Sequence, residues 1–310
     1  MKKFIISLSC FATLLVLMIA IIEVALLYRP NIYAYKHQYM EAHLNDIKVL
    51  LLGSSHIEEA VKPEMIGEGT FNLAISARLK EYDAALAEMY VPRMDSLKVL
   101  VMPVDYTNFF FNREIQEHQN GQGPVSLVGT CRCMHTKYMG TRIDPIWYWS
   151  EILNSKLNFM SRFWNNTQVL QECDSLGYVK LDIKDRNSGW ETKARPALLS
   201  PDLEIDKEAY QEMWQVYDDI AQVTQKKGVR FLLVTTPVYE TYKDRITETM
   251  YRDMMEFIEK LQKKYPHIEF YNFIYAEGFV ADDFNDSSHL TDTGAEKFSQ
   301  ILSEVIYPHK

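Results

Sequence analysis

The stretch KVLLLGSSH, residues 48–56, decides the fold of this chain. After Lys48 it is apolar up to the glycine, which predicts a short strand buried on both faces of a parallel sheet. Gly53 permits the sharp turn that must follow, and a helix is predicted to begin at the two serines. Unpaired N–H groups at a helix start favour negative charge, so Ser55 is a candidate nucleophile if a base reaches it. Taken alone, Gly-Ser-Ser is also common as a turn with a helix cap.

The rest of the chain repeats this order of apolar strand and amphipathic helix. Further strands are predicted at Phe71–Ile75, Val99–Met102, Val229–Thr235 and Ile268–Asn272, and helices at Leu79–Tyr90, Gln211–Lys227, Thr241–Lys264 and Thr291–Ile306. The alternation indicates an α/β sandwich of three layers, with about five parallel strands between helices. Ligand sites of such sheets lie beyond the carboxyl ends of the strands. The loops predicted at those ends are Gly53–His56, Ser76–Arg78, Pro103–Asn108, Pro237–Tyr242 and Asp282–Leu290.

A second motif, FNDSSHLT at residues 284–291, precedes the last predicted helix. Asp286 and His289 are close enough in sequence for the carboxylate to meet the imidazole within one turn. Asp286 would then hold the tautomer of His289, and His289 would accept the proton of a nucleophile. The alternative is structural, because Asp286 or Thr291 can cap the helix that follows. The two motifs are more informative together, since both loops are predicted at one edge of the sheet.

The first thirty residues differ from the rest of the chain. Lys2 and Lys3 precede an apolar run over residues 4–28 in which Glu23 is the only charge. That length suits a bilayer-spanning helix of about 20 residues and exceeds the apolar core of most cleaved signal peptides. We therefore favour a transmembrane signal anchor at 1–30 over a cleaved segment. Lysines beside a span tend to stay cytoplasmic, which predicts a membrane-anchored chain whose bulk is extracytoplasmic, in the periplasm or at the cell surface.

The remainder is predicted to be one domain with a long insertion. Residues 31–47 suggest a polar juxtamembrane connector, and residues 48–310 the domain itself. Residues 106–200 do not follow the strand–helix alternation, so we interpret them as an insertion over the strand ends, forming a lid or substrate wall. Its aromatic side chains either stack on sugar rings or pack a small core of the insertion; they are Trp147, Tyr148, Trp149, Phe163 and Trp164.

Composition narrows the classes of partner. The formal net charge is -9 and the sequence pI is about 5.5, without a basic stripe, so nucleic-acid binding is not expected. Cys173 could pair with Cys131 or Cys133 in an oxidising compartment, or all three could be free thiols. No ligand cluster with metal spacing and no cofactor motif is present, so we expect neither a metal nor a cofactor.

The two motifs, in their order along residues 48–306 and apart from the insertion, resemble the SGNH/GDSL hydrolase superfamily. The resemblance implies a flavodoxin-like sheet, with Ser55 as nucleophile, Asp286 as orienting acid and His289 as base. Ser54 stands where the family usually has aspartate. The Gly-Ser-Ser form, the anchor and the ending His-Leu-Thr-x-x-Gly-Ala are similar to one branch in particular, the membrane-anchored extracytoplasmic proteins of lipoteichoic-acid D-alanylation and alginate O-acetylation.

The resemblance also assigns an oxyanion hole, where the match is weaker. The family holds the oxyanion with the N–H of the nucleophile, a second backbone N–H and an asparagine side chain. The backbone donors correspond to Ser55 and Ala77, with Ala77 in place of the usual glycine. No asparagine falls at the third position; Asn108 and Asp105 are the nearby candidates for an oxyanion or pocket role. Loss of one donor typically costs about 10²–10³ in rate, so weak hydrolysis is expected.

The resemblance therefore implies a serine-dependent O-acyltransferase or esterase acting on cell-envelope or exported polysaccharide through an acyl-serine intermediate. Its partners would be an acyl donor, a polysaccharide acceptor, a membrane-bound acyltransferase and the membrane itself, through the N-terminal helix. The alternative is a non-catalytic scaffold of the same fold that binds glycan or a membrane acyltransferase. Ala77 and the missing asparagine favour the scaffold, whereas the presence of all three triad residues favours the enzyme.

Overall fold

The computed structural model describes residues 1–105, 127–155, 173–192 and 207–308, and these contain one five-stranded sheet. The strands are β1 (Val49–Leu51), β2 (Thr70–Asn72), β3 (Val99–Pro103), β4 (Arg230–Val234) and β5 (Ile268–Tyr271). Their order is β2-β1-β3-β4-β5, and every neighbouring pair is parallel. The order reverses at β1, which lies between β2 and β3. In doubly wound sheets ligands bind at such a point of reversal.

Helices cover both faces of this sheet. In chain order the α-helices of the described residues, of which α1 lies outside these layers, are α1 (Lys2–Leu27), α2 (Ile32–His43), α3 (Ser55–Glu58), α4 (Pro63–Ile66), α5 (Lys80–Tyr90), α6 (Leu127–Tyr138), α7 (Glu151–Ser155), α8 (Lys207–Lys227), α9 (Glu240–Lys243), α10 (Glu248–Lys264) and α11 (Asp292–Ile306). Helices α5 and α8 pack together against one face, and α4 and α11 against the other. The predicted α/β sandwich with a flavodoxin-like sheet is confirmed.

The apolar run that opens the domain supplies both halves of the core. Val49 and Leu51 belong to the hydrophobic cluster that includes α11, whereas Leu50 and Leu52 belong to the cluster that includes α5 and α8. All four side chains are fully buried, which explains why the strand has no polar alternation. Each such burial contributes about 1.5–3 kcal/mol relative to an exposed side chain.

Two predicted elements have different bounds in the structure. The helix predicted at Thr241–Lys264 is interrupted between α9 and α10, because the hydroxyl of Thr247 accepts the N–H of Met250 and begins a new helix there. The strand predicted at Phe71–Ile75 ends earlier, at Asn72. The side-chain amide of Asn72 turns back to donate to carbonyl groups in and after α3, which ties β2 to the segment that follows β1.

Residues 31–47, predicted as a polar connector, instead form α2 and join the core. Met40 is fully buried in the cluster that also contains α5 and α8. Lys36 is fully buried as well, and its ammonium lies 2.9 Å from the carboxylate of Glu58. It also donates to the carbonyl of Ala74. The boundary predicted at residue 48 therefore divides two segments that pack as one.

All four cysteines fall within the described residues, and none forms a disulfide. Cys131 and Cys133 are buried in α6, which packs against α2. Cys173 is half-buried and forms no disulfide. Of the two alternatives that the sequence left open, the structure shows the one without a disulfide.

Replacing Lys36 with methionine should lower the free energy of unfolding by about 3–5 kcal/mol, because Glu58 would keep a buried charge without its cation. The measurement is denaturant unfolding of the full chain in detergent micelles. Lys48→Met is the matched control: its partner Glu68 is exposed and 3.8 Å away, so its loss should cost less than about 1 kcal/mol. Equal losses in the two variants would contradict this account of α2.

Candidate active site

The nucleophile motif lies at the carboxyl end of β1, where the strand order reverses. Gly53 ends the strand at φ 126°, a backbone region that side chains rarely adopt. A Cβ there would lie 2.5 Å from Cδ of Pro103, at the end of the neighbouring β3. The N–H of Gly53 donates to the buried carboxylate of Asp83 in α5 at 3.1 Å. The turn is thus fixed from two sides, and Ser55 begins α3 directly after it.

Ser55, His289 and Asp286 form a continuous chain of hydrogen bonds. The Oγ of Ser55 lies 2.9 Å from Nε2 of His289. The Nδ1 of His289 lies 2.8 and 3.0 Å from the two carboxylate oxygens of Asp286. Because an ionised carboxylate can only accept, Nδ1 carries the proton and Nε2 accepts from the serine hydroxyl. The fold therefore brings together a hydroxyl, an imidazole and a carboxylate in the order that a nucleophile, a base and an orienting acid require.

The loop that carries Asp286 and His289 is fixed by its own backbone. The Asp286 carboxylate accepts two N–H groups of this loop, at 2.8 and 2.9 Å. It does not cap α11; that is done by Thr291, whose side chain accepts the N–H of Gly294. A Cβ on Gly294 would lie 2.1 Å from a carbonyl oxygen of the preceding turn. The threonine and the glycine of the closing motif are therefore structural, and the aspartate is free to orient the histidine.

The electrostatics of the pair favour proton transfer to the histidine. Burial raises the pKa of Asp286, but the hydrogen bond and the charge of His289 outweigh it and hold that pKa well below its ordinary value. Burial lowers the pKa of His289, but Asp286 outweighs it, with smaller contributions from Glu59 and Asp105, so the pKa lies above its ordinary value of 6.5. Asp286 thus stays ionised and strengthens His289 as a base.

The backbone donors predicted from the sequence lie on adjacent loops. Among the described non-glycine residues Ala77 alone has a positive φ, 59°, which is the left-handed conformation that favours glycine. The neighbouring N–H of Ile75 donates to the carbonyl of Gly53 at 3.1 Å, so the Ala77 loop is bonded directly to the nucleophile turn. Within the described residues the N–H groups of Ser55 and Ala77 have no acceptor in the protein. Both are therefore available to an oxyanion.

A buried network holds the Ala77 loop in place. The carboxylate of Glu58 accepts both the N–H and the hydroxyl of Ser76, at 2.6 Å each. Glu58 is in turn held by Lys36, which also donates to the carbonyl of Ala74. The position of this loop therefore depends on α2, in the segment that the sequence predicted to be a connector.

A second imidazole–carboxylate pair lies beside the triad. The Nδ1 of His56 is 2.6 Å from Oδ1 of Asp105, and the ammonium of Lys80 is 3.2 Å from Oδ2. The ring centroids of His56 and His289 are 4.9 Å apart. Burial raises the pKa of Asp105, but the charges of Lys80 and His56 outweigh it and hold that pKa well below its ordinary value. An ionised carboxylate has no proton to donate, which favours the pocket role over the oxyanion role for Asp105.

For His56, which follows Ser55, the sequence leaves two alternatives open: contact with substrate, or a surface position at a helix start. Its partner Asp105 is 49 residues away in sequence, so no local spacing could have revealed the pair. Asn108, the other candidate for the third oxyanion donor, lies outside the described residues. Phe163 and Trp164, two of the aromatics that the sequence offered for sugar stacking, also lie outside them.

A cavity of about 620 Å³ adjoins this second pair. Ser54 and Asp105 line one end of it, and the segment 143–145 lines another. Charged side chains of both signs, among them Arg132 and Glu212, face the space between α5, α8 and that segment. Its volume is in the range of small-molecule sites, and its lining combines charged and apolar side chains.

Comparisons with known proteins assign no family to this chain. No family model matches the sequence, and no curated protein matches it. Among solved structures, one from Streptococcus pneumonia whose description names a platelet activating factor is similar, at 11% sequence identity and a TM-score of 0.44. That likeness covers 96% of this chain and 99% of the other.

Replacing Ala77 with glycine should raise the free energy of unfolding by roughly 0.5–1 kcal/mol. The left-handed conformation costs an alanine about 1–2 kcal/mol, and the extra freedom of glycine in the unfolded chain offsets part of that gain. Ala84→Gly, in the interior of α5, is the matched control and should lose about 1 kcal/mol. Denaturant unfolding in detergent micelles measures both, and a loss of stability in Ala77→Gly would refute the assignment of strain to this residue.

Proposed function

We propose that this protein is a serine-dependent O-acyltransferase or esterase of the SGNH/GDSL kind. The observation that carries the proposal is the hydrogen-bonded chain from Ser55 through His289 to Asp286. Two further features support it. The N–H groups of Ser55 and Ala77 lie on loops joined by a hydrogen bond, and the site occupies the point of strand reversal at which doubly wound sheets bind ligands.

In the first half of the reaction the Ser55 hydroxyl attacks the acyl carbon of a donor ester. As the new C–O bond forms, the serine proton passes to Nε2 of His289, and the N–H groups of Ser55 and Ala77 stabilise the oxyanion. The C–O bond to the leaving alcohol then breaks, and that alcohol takes the proton from His289. The product is an acyl-serine, with Asp286 having stabilised the transient imidazolium.

In the second half an acceptor hydroxyl, or water, attacks the acyl-serine. His289 takes the acceptor's proton, and the Ser55 oxygen leaves and recovers a proton from the imidazolium. A sugar hydroxyl as acceptor gives acyl transfer, and water gives hydrolysis. The cavity beside Ser54 and Asp105 supports a sugar as acceptor, because its charged side chains of both signs can bond to hydroxyl groups and its apolar side chains can contact the ring.

Helix α1 supports the proposal that this chemistry takes place at a membrane. It is long and apolar enough to span a bilayer or to act as a signal anchor. With Lys2 and Lys3 on the cytoplasmic side, the site would face the periplasm or the cell surface. The acceptor would then be a cell-envelope or exported polysaccharide, and a membrane-bound acyltransferase would be a suitable source of acyl groups. No nucleic acid is expected as a partner of a chain with net charge -9.

The acyl-serine itself is the first testable consequence. Incubation of the full chain in detergent with an activated acetyl ester should add one acetyl group, located by peptide mass at Ser55. Ser55→Ala should abolish the adduct, and His289→Ala should slow its formation by about 10³-fold or more, since the base is lost. Ser175→Ala, at an exposed serine away from the site, is the matched control and should acylate normally. Absence of any adduct in the unaltered chain would favour the scaffold alternative.

The pH dependence of acylation follows from the shifted pKa of His289. The histidine must be neutral to accept a proton, so the rate should rise with pH through a midpoint above 6.5, the ordinary value. Asp286→Asn removes the charge that favours the imidazolium, and should therefore move this midpoint down. It should also lower the rate by up to about 10⁴-fold, because the tautomer is no longer held.

Stopped-flow acylation of both forms across pH 5–9 tests this expectation. An upward shift of the midpoint in Asp286→Asn, or an unchanged rate, would show that Asp286 does not act on His289. Asp292→Asn is the control, since Asp292 is also a carboxylate with a lowered pKa, but its partners are Lys62, Lys180 and Tyr178, outside the triad.

A further inference from the structure

The carboxyl end of α1 is joined to the domain by a buried cluster of charges. Glu23, the single charge of the apolar run, is 5% exposed. The ammonium of Lys137 in α6 lies 3.3 Å from its carboxylate and 3.1 Å from that of Glu151 in α7. Arg29 completes the cluster at 3.2 Å from Glu151. The N–H of Ile152 also donates to Glu23 at 3.0 Å.

This cluster makes α1 a part of the fold. Lys137 has no exposed side-chain surface, so removal of the helix would leave it with only one of its two carboxylate partners in a buried position, which is costly. The position of the cluster along α1 also indicates how deep the helix lies in the membrane. About 20 helical residues cross the apolar core of a bilayer, and counting from Phe4 this reaches Glu23. The cluster therefore falls where α1 leaves the apolar core.

An exposed apolar surface adjoins this end of α1. We call it the aromatic patch, and it consists of Ile143, Ile146, Trp147, Trp149 and Leu153. Ile146 is 84%, Leu153 73% and Trp147 63% exposed. The sequence offered these tryptophans either a sugar site or a core of the insertion; in the structure Trp147 is mostly exposed, whereas Trp149 is 37% exposed. Ser150 to Ile152, which lie between Trp149 and Leu153 of the patch, are the residues that bond to Glu23.

Two cationic side chains contact aromatic rings in residues 147–149. The guanidinium of Arg132 lies 4.8 Å from the ring centroid of Tyr148 and donates to its hydroxyl at 2.8 Å. The ammonium of Lys137 lies 5.2 Å from the ring of Trp149. Tryptophan and tyrosine are the residues enriched where proteins meet the lipid headgroups. The patch is next to α1, a helix of mean hydropathy 2.8. That position is expected of a surface that contacts lipid, whereas a surface that binds a soluble protein has no need of it.

We propose that the aromatic patch lies in the headgroup layer of the bilayer that α1 spans, so that the domain rests on the membrane at a fixed height and orientation. Ile143 belongs both to the patch and to the lining of the cavity that reaches Ser54 and Asp105. That cavity therefore opens beside the lipid surface. In this proposal the aromatic patch contacts lipid. The proposal does not depend on the chemistry at Ser55.

The test is the exposure of a spin label on the full chain in lipid nanodiscs of phosphatidylcholine and phosphatidylglycerol. The background is Cys10→Ser with Cys173→Ser, which leaves only the buried Cys131 and Cys133. A nitroxide at Ile146→Cys should collide several-fold more often with oxygen, which concentrates in lipid, than with a water-soluble nickel chelate. Val280→Cys is the matched control, because Val280 is apolar and 59% exposed but follows β5. Its label should show the opposite ratio.

Native Cys10, retained and labelled alone, reports whether α1 itself is in the bilayer. A lipid signal at Cys10 together with a lipid signal at Ile146→Cys supports the proposal. A lipid signal at Cys10 with the aqueous ratio at Ile146→Cys overturns it, since the patch would then face water beside an inserted helix. An aqueous ratio at both positions overturns it as well, because the span on which it rests would be absent.

Discussion

The structure depends first on the close approach of two strand ends, at Gly53 and Pro103. A Cβ at Gly53 would lie 2.5 Å from the proline ring, so only glycine lets β1 turn there while β3 stays beside it. In that turn the N–H of Gly53 donates to the carboxylate of Asp83, and the carbonyl of Gly53 accepts the N–H of Ile75. The three loops that follow β1, β2 and β3 are consequently locked to one another. The hydroxyl of Ser55 can meet an imidazole from the far end of the chain only because this edge of the sheet has a single arrangement.

The fold could be predicted from the sequence because its signals are local. A buried parallel strand has no polar face, and the four consecutive apolar residues Val49–Leu52 indicate such a strand. The pairing of Asp286 with His289 is likewise contained in one loop. The His56–Asp105 pair and the burial of Lys36 could not be predicted, since a charged residue in a polar segment is ordinarily solvated. Those features depend on which distant segment covers them, and no spacing within the sequence records that.

Buried ion pairs set the geometry of the loops around Ser55. Lys36 with Glu58 lies beneath the loop of Ala77, and Arg78 with Asp83 lies behind Gly53. Such pairs add little net stability compared with apolar replacements, because desolvation offsets their attraction. Their effect is positional: a carboxylate that must remain bonded to a cation can hold a backbone N–H in only one place. The strained φ of Ala77 persists because this network fixes the neighbouring Ser76.

The same reasoning connects the anchor to the site. A flexible connector over the 17 residues 31–47 would let the domain move by roughly 20 Å relative to its helix. The structure removes that freedom twice, because α2 packs into the core and Glu23 binds α6 and α7. A site held at a fixed distance from the membrane explores a thin layer of solvent rather than the larger volume that a flexible connector would allow. Its effective concentration toward molecules in that layer is therefore higher. Rigid docking therefore suits an enzyme whose substrates are presented at a surface, whereas one that acts on freely diffusing esters would gain nothing from it.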